Sequence, residues 1–193
     1  MSWLVVGLII FFAMHSISIV NEPWRDRMVA KRGEGPWKGI YSVVATIGFV
    51  LIVWGYGLAR QESAIIYLSA PWLMYLSMLL LIPVFPLLLA TYLPGRIKAF
   101  VGHPMLLATI LWAFSHLLVN GRLSDILLFG SFLVWSCLDL YSMRRRVQSP
   151  LLSAPVSRFN DLISLVLGFA LYSMFIVWLH SMLIGVPLVT LTP

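Results

Sequence analysis

Four histidines are the residues of this chain whose type and position could support chemistry. His15, His116 and His180 lie within long apolar segments, and His103 opens another such segment. A neutral imidazole can donate one ring N–H to a carbonyl oxygen while its other nitrogen binds a metal. One membrane histidine is most simply explained by a helix–helix hydrogen bond, but three or four in so short a chain favour a shared ligand site.

The helical phase of these residues limits how they could share a ligand. Thr109, His116 and Asn120 are spaced by seven and four residues, so they form one polar stripe with Trp112 beside it. His103 and His116 point to roughly opposite faces of their helix at about 100° per residue. A shared metal therefore needs imidazoles from different helices, and two such imidazoles among aromatic side chains suit a b-type haem.

Other catalytic patterns are weak in this sequence. There is no H-E-x-x-H zinc motif, and no acid lies beside a membrane histidine to complete one. Asp139 is the one acid within an apolar segment, and we expect it to pair with nearby loop cations rather than act as a base. Cys137 is the only cysteine, which excludes an internal disulfide and a cysteine-based metal site. Hydrolysis is therefore poorly supported.

The composition indicates that these residues are positioned by a membrane domain. Of the 193 residues, 61% are hydrophobic and 10% are charged, and the mean hydropathy is +0.95. Soluble domains carry about 25% charged residues, so soluble, disordered and nucleic-acid-binding classes are excluded. The pI near 9.8 reflects 13 Lys and Arg residues against 7 Asp and Glu residues.

Six apolar segments predict an all-α, polytopic bundle of membrane helices, because each is near the roughly 20 residues that a helix needs to cross a bilayer. The segments are continuous rather than alternating, which argues against strands. One membrane domain over residues 1–193 is the simplest organisation. The predicted segments run from Trp3 to Val20, Gly39 to Ala59, Ile66 to Thr91, Pro104 to Asn120, Leu123 to Ser142 and Leu162 to Leu183.

The positions of the cations predict the topology. Eleven of the thirteen lie in the predicted loops after the first, third and fifth segments, and basic residues favour the cytoplasmic side. Both termini are therefore expected on the non-cytoplasmic side of a bacterial inner membrane. The run of three arginines is interpreted as an orienting signal that also attracts anionic lipid. The eleven cations are Arg25, Arg27, Lys31, Arg32, Lys38, Arg96, Lys98, Arg144, Arg145, Arg146 and Arg158.

Proline and glycine residues inside the apolar segments predict a bend in one helix and a close helix–helix contact at another. Pro83 and Pro86 lie inside the third segment and are expected to bend it, either as a tolerated kink or as a bend that opens a pocket. Gly48 and Gly55 are seven residues apart on the second segment, so they share a face that allows a neighbouring helix to pack closely.

The connection between the fourth and fifth segments is predicted to be a tight antiparallel turn, since only Gly121 and Arg122 separate them. Ser124 and Asp125 follow directly. They are placed to start the fifth helix as an N-cap residue and a first-turn acid.

The histidine-bearing stretches resemble the NnrU family of bacterial membrane proteins. The resemblance covers almost the whole chain, and the stretches around the histidines are its specific part. The stretches that carry it are FFAMHSI (Phe11 to Ile17), WRDRMVAKRGEGPWKGIYS (Trp24 to Ser42), GHPMLLATILWAFSHLLVNG (Gly102 to Gly121), LFGSFLVWS (Leu128 to Ser136) and LHSMLIGVPL (Leu179 to Leu188).

The resemblance implies a cofactor and two alternative functions. The NnrU family is named for genes found with nitrite and nitric oxide reduction, and it is similar to the plant 15-cis-ζ-carotene isomerase, a haem b enzyme of plastid membranes. The resemblance to this enzyme implies that His15 and His116 hold haem b. It also implies an isomerase-like activity on an apolar polyene such as a cis-carotene. The alternatives are a non-enzymatic membrane factor in denitrification or the nitric oxide response, and histidines that only tie helices together. The other implied site residues are Trp112, Asn120, His103 and His180.

The depth of the two principal histidines tests this pairing. If the first helix leaves the membrane near Val20, His15 lies about 8 Å from the inner boundary, and about 14 Å if the helix leaves near Trp24. His116 lies about 18 to 20 Å from the start of the fourth helix. Because two axial ligands need similar depths, the pairing requires a long first helix or tilted helices.

Overall fold

The chain is α-helical throughout most of the part that the structure describes. The structure is a computed structural model that describes residues 1–145 and 153–188, and Arg146 of the predicted arginine run lies outside them. No strand occurs in those two ranges, so the all-α prediction is confirmed. The elements are α1 (Ser2–Arg32), α2 (Glu34–Glu62), α3 (Leu73–Leu81), α4 (Val84–Tyr92), α5 (Arg96–Val101), α6 (Pro104–Val119), α7 (Leu123–Met143), α8 (Asn160–Met174), a π-helical turn (Phe175–Leu179) and α9 (His180–Ile184).

Five stretches of the described chain are long and apolar enough to cross a bilayer, and these account for five of the six predicted segments. The fourth predicted segment is α6, which has 16 residues. At a rise of about 1.5 Å per residue α6 is about 24 Å long, shorter than the roughly 30 Å hydrocarbon core of a bilayer. The chain is therefore a multi-pass membrane protein, and the count of six spans stays a prediction. The five stretches are Ser2–Arg32, Glu34–Glu62, Leu73–Tyr92, Leu123–Met143 and Asn160–Ile184.

Helix α1 contains the predicted membrane segment and a charged extension, separated at Asn21. Asn21 has non-helical backbone angles (φ −151°, ψ 73°) and its side-chain oxygen accepts a hydrogen bond from the Trp24 amide at 3.0 Å. Asn21 therefore caps a new helical start, and Pro23 lies in its first turn, where a missing N–H is tolerated. The apolar segment ends at Val20 as predicted. The expectation of a loop after it was wrong, because the cations that follow lie on helices: Arg25, Arg27, Lys31 and Arg32 on α1, and Lys38 on α2.

The third predicted segment, from Ile66, was wrong at its start, because residues 63–72 are not helical and α3 begins at Leu73. The amides of Ile66 and Tyr67 donate to the Gly121 carbonyl at 2.8 and 3.3 Å, and the Leu123 amide donates to the Ala64 carbonyl at 2.9 Å. This apolar stretch pairs its backbone with the connection between α6 and α7 and so does not need helical hydrogen bonds.

The predicted bend in this segment is a complete break at Pro83. Pro83 has no amide hydrogen, and the Ile82 amide bonds the Leu79 carbonyl at 3.3 Å instead of continuing the α-helical pattern. The Met78 carbonyl is thereby left without its usual partner. The Tyr172 hydroxyl of α8 donates to it at 2.6 Å, so a neighbouring helix satisfies the group that the break exposes.

A short helix, α5, lies where the sequence predicted only a loop with Arg96 and Lys98. The Asp161 carboxylate accepts hydrogen bonds from the Arg96 and Ile97 amides at 2.8 and 3.0 Å. Gly95 has no side chain, and a Cβ there would collide with this carboxylate. An acid 64 residues away in sequence therefore supports the first turn of α5.

Helix α7 begins one residue earlier than the predicted cap. The Arg122 amide donates to the Asp125 carboxylate at 3.1 Å, so Asp125 is the first-turn acid, as predicted. The prediction that Ser124 is the N-cap was wrong, because the helix begins at Leu123 and the cap is Arg122. The Ser124 amide instead donates to the Ser63 hydroxyl at 2.8 Å, which ties α7 to the residue after α2.

The described chain forms two compact units. Unit 1 contains residues 1–74 and 116–145, and unit 2 contains residues 75–115 and 153–188. The single-domain organisation over residues 1–193 stays a prediction. The core of unit 2 is built on Val84, Leu87 and Ala108, which are buried, with Trp112 packed against them.

In unit 1, α1 and α2 approach at their glycines. A Cβ on Gly48 would lie 2.7 Å from the Phe11 amide nitrogen, and one on Gly7 would lie 2.6 Å from the Ile52 amide nitrogen. Gly55 stands equally close to the backbone at Leu4, which is fully buried. The close approach predicted for Gly48 and Gly55 is confirmed, and its partner is α1.

Substituting Gly48 by alanine should destabilise the protein by about 1 to 3 kcal/mol, because the added methyl group forces the two backbones apart. Gly57→Ala is the matched control on the same helix, since nothing lies within 4 Å of its Cβ position. Removing glycine from a helix interior should there be neutral or stabilising by up to about 1 kcal/mol. Thermal unfolding in detergent measures both, and equal stability of the two variants would contradict the close contact.

Substituting Tyr172 by phenylalanine should destabilise the protein by about 1 kcal/mol or more, because the Met78 carbonyl loses its donor. Tyr75→Phe serves as the control, since the Tyr75 side chain is exposed. The same unfolding measurement applies. A Tyr172→Phe variant as stable as Tyr75→Phe would show that the break at Pro83 does not need the hydroxyl.

Candidate functional site

His15 lies half-buried on α1 with its ring orientation set by the helix itself. Its Nδ1 bonds the Phe11 carbonyl, one turn earlier, at 2.8 Å. A carbonyl can only accept, so Nδ1 carries the proton and Nε2 keeps a free lone pair. This is the tautomer in which the second nitrogen can bind a metal.

Aromatic rings surround the His15 imidazole. Phe11 stacks on it with ring centroids 3.9 Å apart and planes at 22°. Tyr41 of α2 and Trp135 of α7 meet it edge-on, with centroids at 5.3 and 5.8 Å. Three helices of unit 1 therefore contribute to one apolar environment around a neutral imidazole.

Asp139 of α7 belongs to the same environment. It is buried, with 7% of its surface exposed, and it follows Trp135 by four residues, so it lies on the face of α7 that meets His15. Nothing in the sequence spacing placed this acid beside His15. Its expected pairing with loop cations stays a prediction.

His116, near the end of α6, also lies in unit 1. Its ring stacks on Phe129 of α7 with centroids 4.5 Å apart and planes at 24°. The Asn120 side-chain amide donates to the His116 backbone carbonyl at 2.9 Å. The Tyr67 hydroxyl contacts the carbonyls of Leu117 and Asn120, the second at 2.8 Å. Asn120 and Tyr67 thus hold the helix end that carries His116.

Helix α7 is the common support of the two imidazoles. His116 stacks on Phe129 and His15 meets Trp135, six residues further along the helix. Six residues correspond to about 9 Å along a helix axis. The two histidines therefore contact α7 at different levels, whereas the pairing predicted from the sequence needs similar depths.

The other two predicted histidines, His103 and His180, lie in unit 2 at distant positions. The first residue of α8, Asn160, donates to the Pro94 carbonyl beside α5, and only Gly102 separates His103 from the end of α5. His180 lies twenty residues beyond Asn160, about 30 Å along the helix. Its Nδ1 bonds the Val186 carbonyl at 2.8 Å. These two histidines do not form a common site.

Of the two remaining predicted site residues, Trp112 packs against the Val84, Leu87 and Ala108 core, and Asn120 bonds the backbone of its own helix. Within the described ranges no group of three or more His, Cys, Asp or Glu side chains could hold a metal ion. A porphyrin brings four nitrogens of its own and needs only one or two protein ligands.

A shallow apolar groove of about 470 Å³ runs along α7 beside this site, and we call it the α7 groove. Two of its walls, Phe12 and Trp135, pack against each other with ring centroids 5.8 Å apart, and Trp135 also contacts His15. The groove is lined by Phe12, Ile126, Leu127, Gly130, Ser131, Val134, Trp135 and Leu138.

Long apolar helices without strands in the described ranges define a polytopic α-helical membrane protein. Residues 3–188 match the model of the family described as NnrU protein, and the chain belongs to that family. The family resemblance drawn from the histidine-bearing stretches is thereby confirmed. No match was found among curated proteins or among solved structures.

Tyr67 lies outside the membrane-spanning helices, and the pKa of its phenol should lie above its ordinary value. Burial and the Asp125 carboxylate raise the pKa of its phenol from 10.0. Because the folded chain holds this proton more tightly than the unfolded chain, its stabilising contribution is complete below about pH 10 and is lost as the pH rises through the folded pKa. An ultraviolet titration of tyrosinate, wild type minus Tyr67→Phe, measures it. A Tyr67 that ionises at or below pH 10 would contradict the assigned contacts.

Proposed function

We propose that this NnrU-family protein binds haem b, which His15 would hold as the first ligand and His116 as the second. The observation that supports this most directly is the Phe11 carbonyl bond, which leaves Nε2 of His15 free inside an aromatic environment. His116 is the only other histidine in the described part of unit 1. Haem b takes neutral imidazole ligands in apolar slots between helices.

The chain's own residues would orient the ligand and exclude water. Phe11 fixes the tautomer and stacks on the ring, and Tyr41 and Trp135 cover its edges. The bond from Nδ1–H to the Phe11 carbonyl would raise the basicity of Nε2, which strengthens it as a ligand. Bound haem supplies a redox-active iron. The offset of about 9 Å along α7 makes His116 the ligand that needs a separate test.

The finer function that we propose is an isomerase-like action on an apolar lipid such as a cis-carotene. The α7 groove supports it, because an apolar opening bordered by Phe12 and Trp135 lies directly beside His15. A hydrocarbon chain could lie in this groove within reach of the aromatic environment. Reduced, haem-loaded protein should then convert ζ-carotene from cis to trans faster than haem alone.

A second candidate is a non-enzymatic membrane factor in denitrification or the nitric oxide response, which membership of the NnrU family favours. Haem-loaded protein that binds nitric oxide but leaves ζ-carotene unchanged would support this candidate over the isomerase. For either function we place the chain in the bacterial inner membrane with both termini away from the cytoplasm. The clustering of the cations supports that orientation.

Detergent-purified protein expressed with adequate haem should show a Soret band that shifts on reduction. His15→Ala and His116→Ala should each shift or abolish it, because each removes an axial ligand. His180→Ala and His103→Ala are the matched controls, since both residues lie in unit 2, and they should leave the spectrum unchanged. The absence of a Soret band from folded protein would overturn the haem proposal. Loss of the Soret band in His15→Ala but not in His116→Ala would overturn only the assignment of His116 as the second ligand.

A further inference from the structure

The cations between the apolar segments of α1 and α2 differ in whether the chain supplies their counter-ions. Arg25 and Lys38 already have acids of their own. The Arg25 Nε lies 2.9 Å from the Asp26 carboxylate, and the Lys38 Nζ lies 2.7 Å from the Glu34 carboxylate. These two cations therefore need no further anion.

Arg27 and Lys31 are in a different situation. Both are exposed, and neither forms an ion pair with an acid in the part of the chain that the structure describes. Glu34, three residues after Lys31, is held by Lys38. Residues four apart on a helix are neighbours with Cβ atoms about 5 to 6 Å apart, and like charges at this spacing repel each other. One anion bound between the two side chains would remove that repulsion.

The level of this pair in the bilayer follows from the contact between α1 and α2. A Cβ on Gly48 would meet the Phe11 backbone, and continuing this antiparallel register puts Val20 opposite Gly39, where both predicted apolar segments stop. Arg27 lies about 10 Å beyond Val20 along the helix, and the headgroup layer adds about 5 to 8 Å on each side of the core. Cα–Cβ bonds tilt towards the N-terminus of a helix, which for α1 is the membrane side. The two long side chains therefore lean back towards the headgroups.

The face of α1 that carries this pair continues into an apolar depression. Trp24 precedes Arg27 by three residues and Lys31 by seven, so it shares their face. Its ring packs against Trp37 of α2 with centroids 5.9 Å apart, and tryptophan is typical of the bilayer interface. Trp24 also borders a depression of about 450 Å³ that follows α1 back towards the bilayer. A hydrocarbon surface that ends at two cations matches an acyl chain below a phosphate. The depression is lined by Ala13, Ser16, Ile17, Val20, Asn21 and Trp24.

We propose that Arg27 and Lys31 bind the phosphate of an anionic phospholipid whose acyl chain lies in this depression on α1. Charge and depth favour the lipid, because the cations reach the headgroup layer and the depression below them faces hydrocarbon. The guanidinium binds two phosphate oxygens and the ammonium binds as a point charge. Anionic lipids of the cytoplasmic leaflet attract basic residues beside a membrane span. An orienting signal would count every cation on this side equally, whereas this site depends on two of them.

The test measures binding of dioleoylphosphatidylglycerol to the detergent-purified full chain by native mass spectrometry, with dioleoylphosphatidylcholine as the zwitterionic comparison. The double variant Arg27→Gln/Lys31→Gln should weaken phosphatidylglycerol binding about tenfold or more. Arg25→Gln/Lys38→Gln is the matched control, since it removes the same charge from cations that have acids of their own. It should bind phosphatidylglycerol within about twofold of wild type. All three proteins should bind phosphatidylcholine equally weakly.

Equal losses in the two double variants would show that only net charge matters and would overturn the site. Displacement of the lipid by glycerol phosphate would assign the two cations to a free phosphate, and displacement by polyglutamate would assign them to an acidic protein. Either result would overturn the phospholipid. Circular dichroism confirms that each variant is folded. The Soret band separates this proposal from haem binding, since His15→Ala should lose the band and still bind phosphatidylglycerol, and Arg27→Gln/Lys31→Gln the reverse.

Discussion

Satisfying backbone hydrogen bonds without water is the constraint on which the rest of this structure depends. Inside a bilayer each unpaired N–H or C=O group costs several kcal/mol. At the interruption before Pro83 a side chain therefore takes over, since the Tyr172 hydroxyl donates to the freed Met78 carbonyl. Side chains also bind the first amides of helices at exposed positions, where Asn21 receives the amide of a restarting helix and Asp161 the amides that open α5. The same constraint applies to polar side chains, and the ring N–H of His15 bonds a carbonyl of its own helix. The rule that keeps the helices intact thus also selects the tautomer of the candidate ligand.

Apolar length predicts where this chain crosses the membrane but not where its helices begin. The first segment ends at Val20 in the sequence and at the Asn21 cap in the structure, because a polar side chain able to cap follows the apolar run directly. The stretch after Ile66 is equally apolar, yet it pairs with the connection at Gly121 and is not helical. Hydropathy reports the preferred solvent of a segment. It does not report which backbone partner the segment finds, and a distant partner such as Asp161 for α5 leaves no local signal.

The candidate site shows the same division between local and tertiary information. Helical phase indicated that ligands must come from different helices, and the structure places His15 and His116 in one unit, both against α7. Phase also grouped Trp112 with His116, but Trp112 packs in the core of unit 2. Neither Asp139 nor Trp135 could be placed beside His15 from the sequence, because their proximity depends on how α7 is rotated towards α1. A periodic pattern identifies the residues that share a face and leaves open which helix that face meets.

The glycine contacts between α1 and α2 have a consequence for how this protein can diverge. These two helices meet backbone to backbone, so few large side chains are buried between them. Their outward-facing positions need only match lipid, and many apolar residues meet that requirement equally well. Gly7, Gly48 and Gly55 have no such freedom, since even one methyl group does not fit. Sequences of this architecture can therefore drift far in overall identity while keeping their shape, as long as these few small residues stay in place.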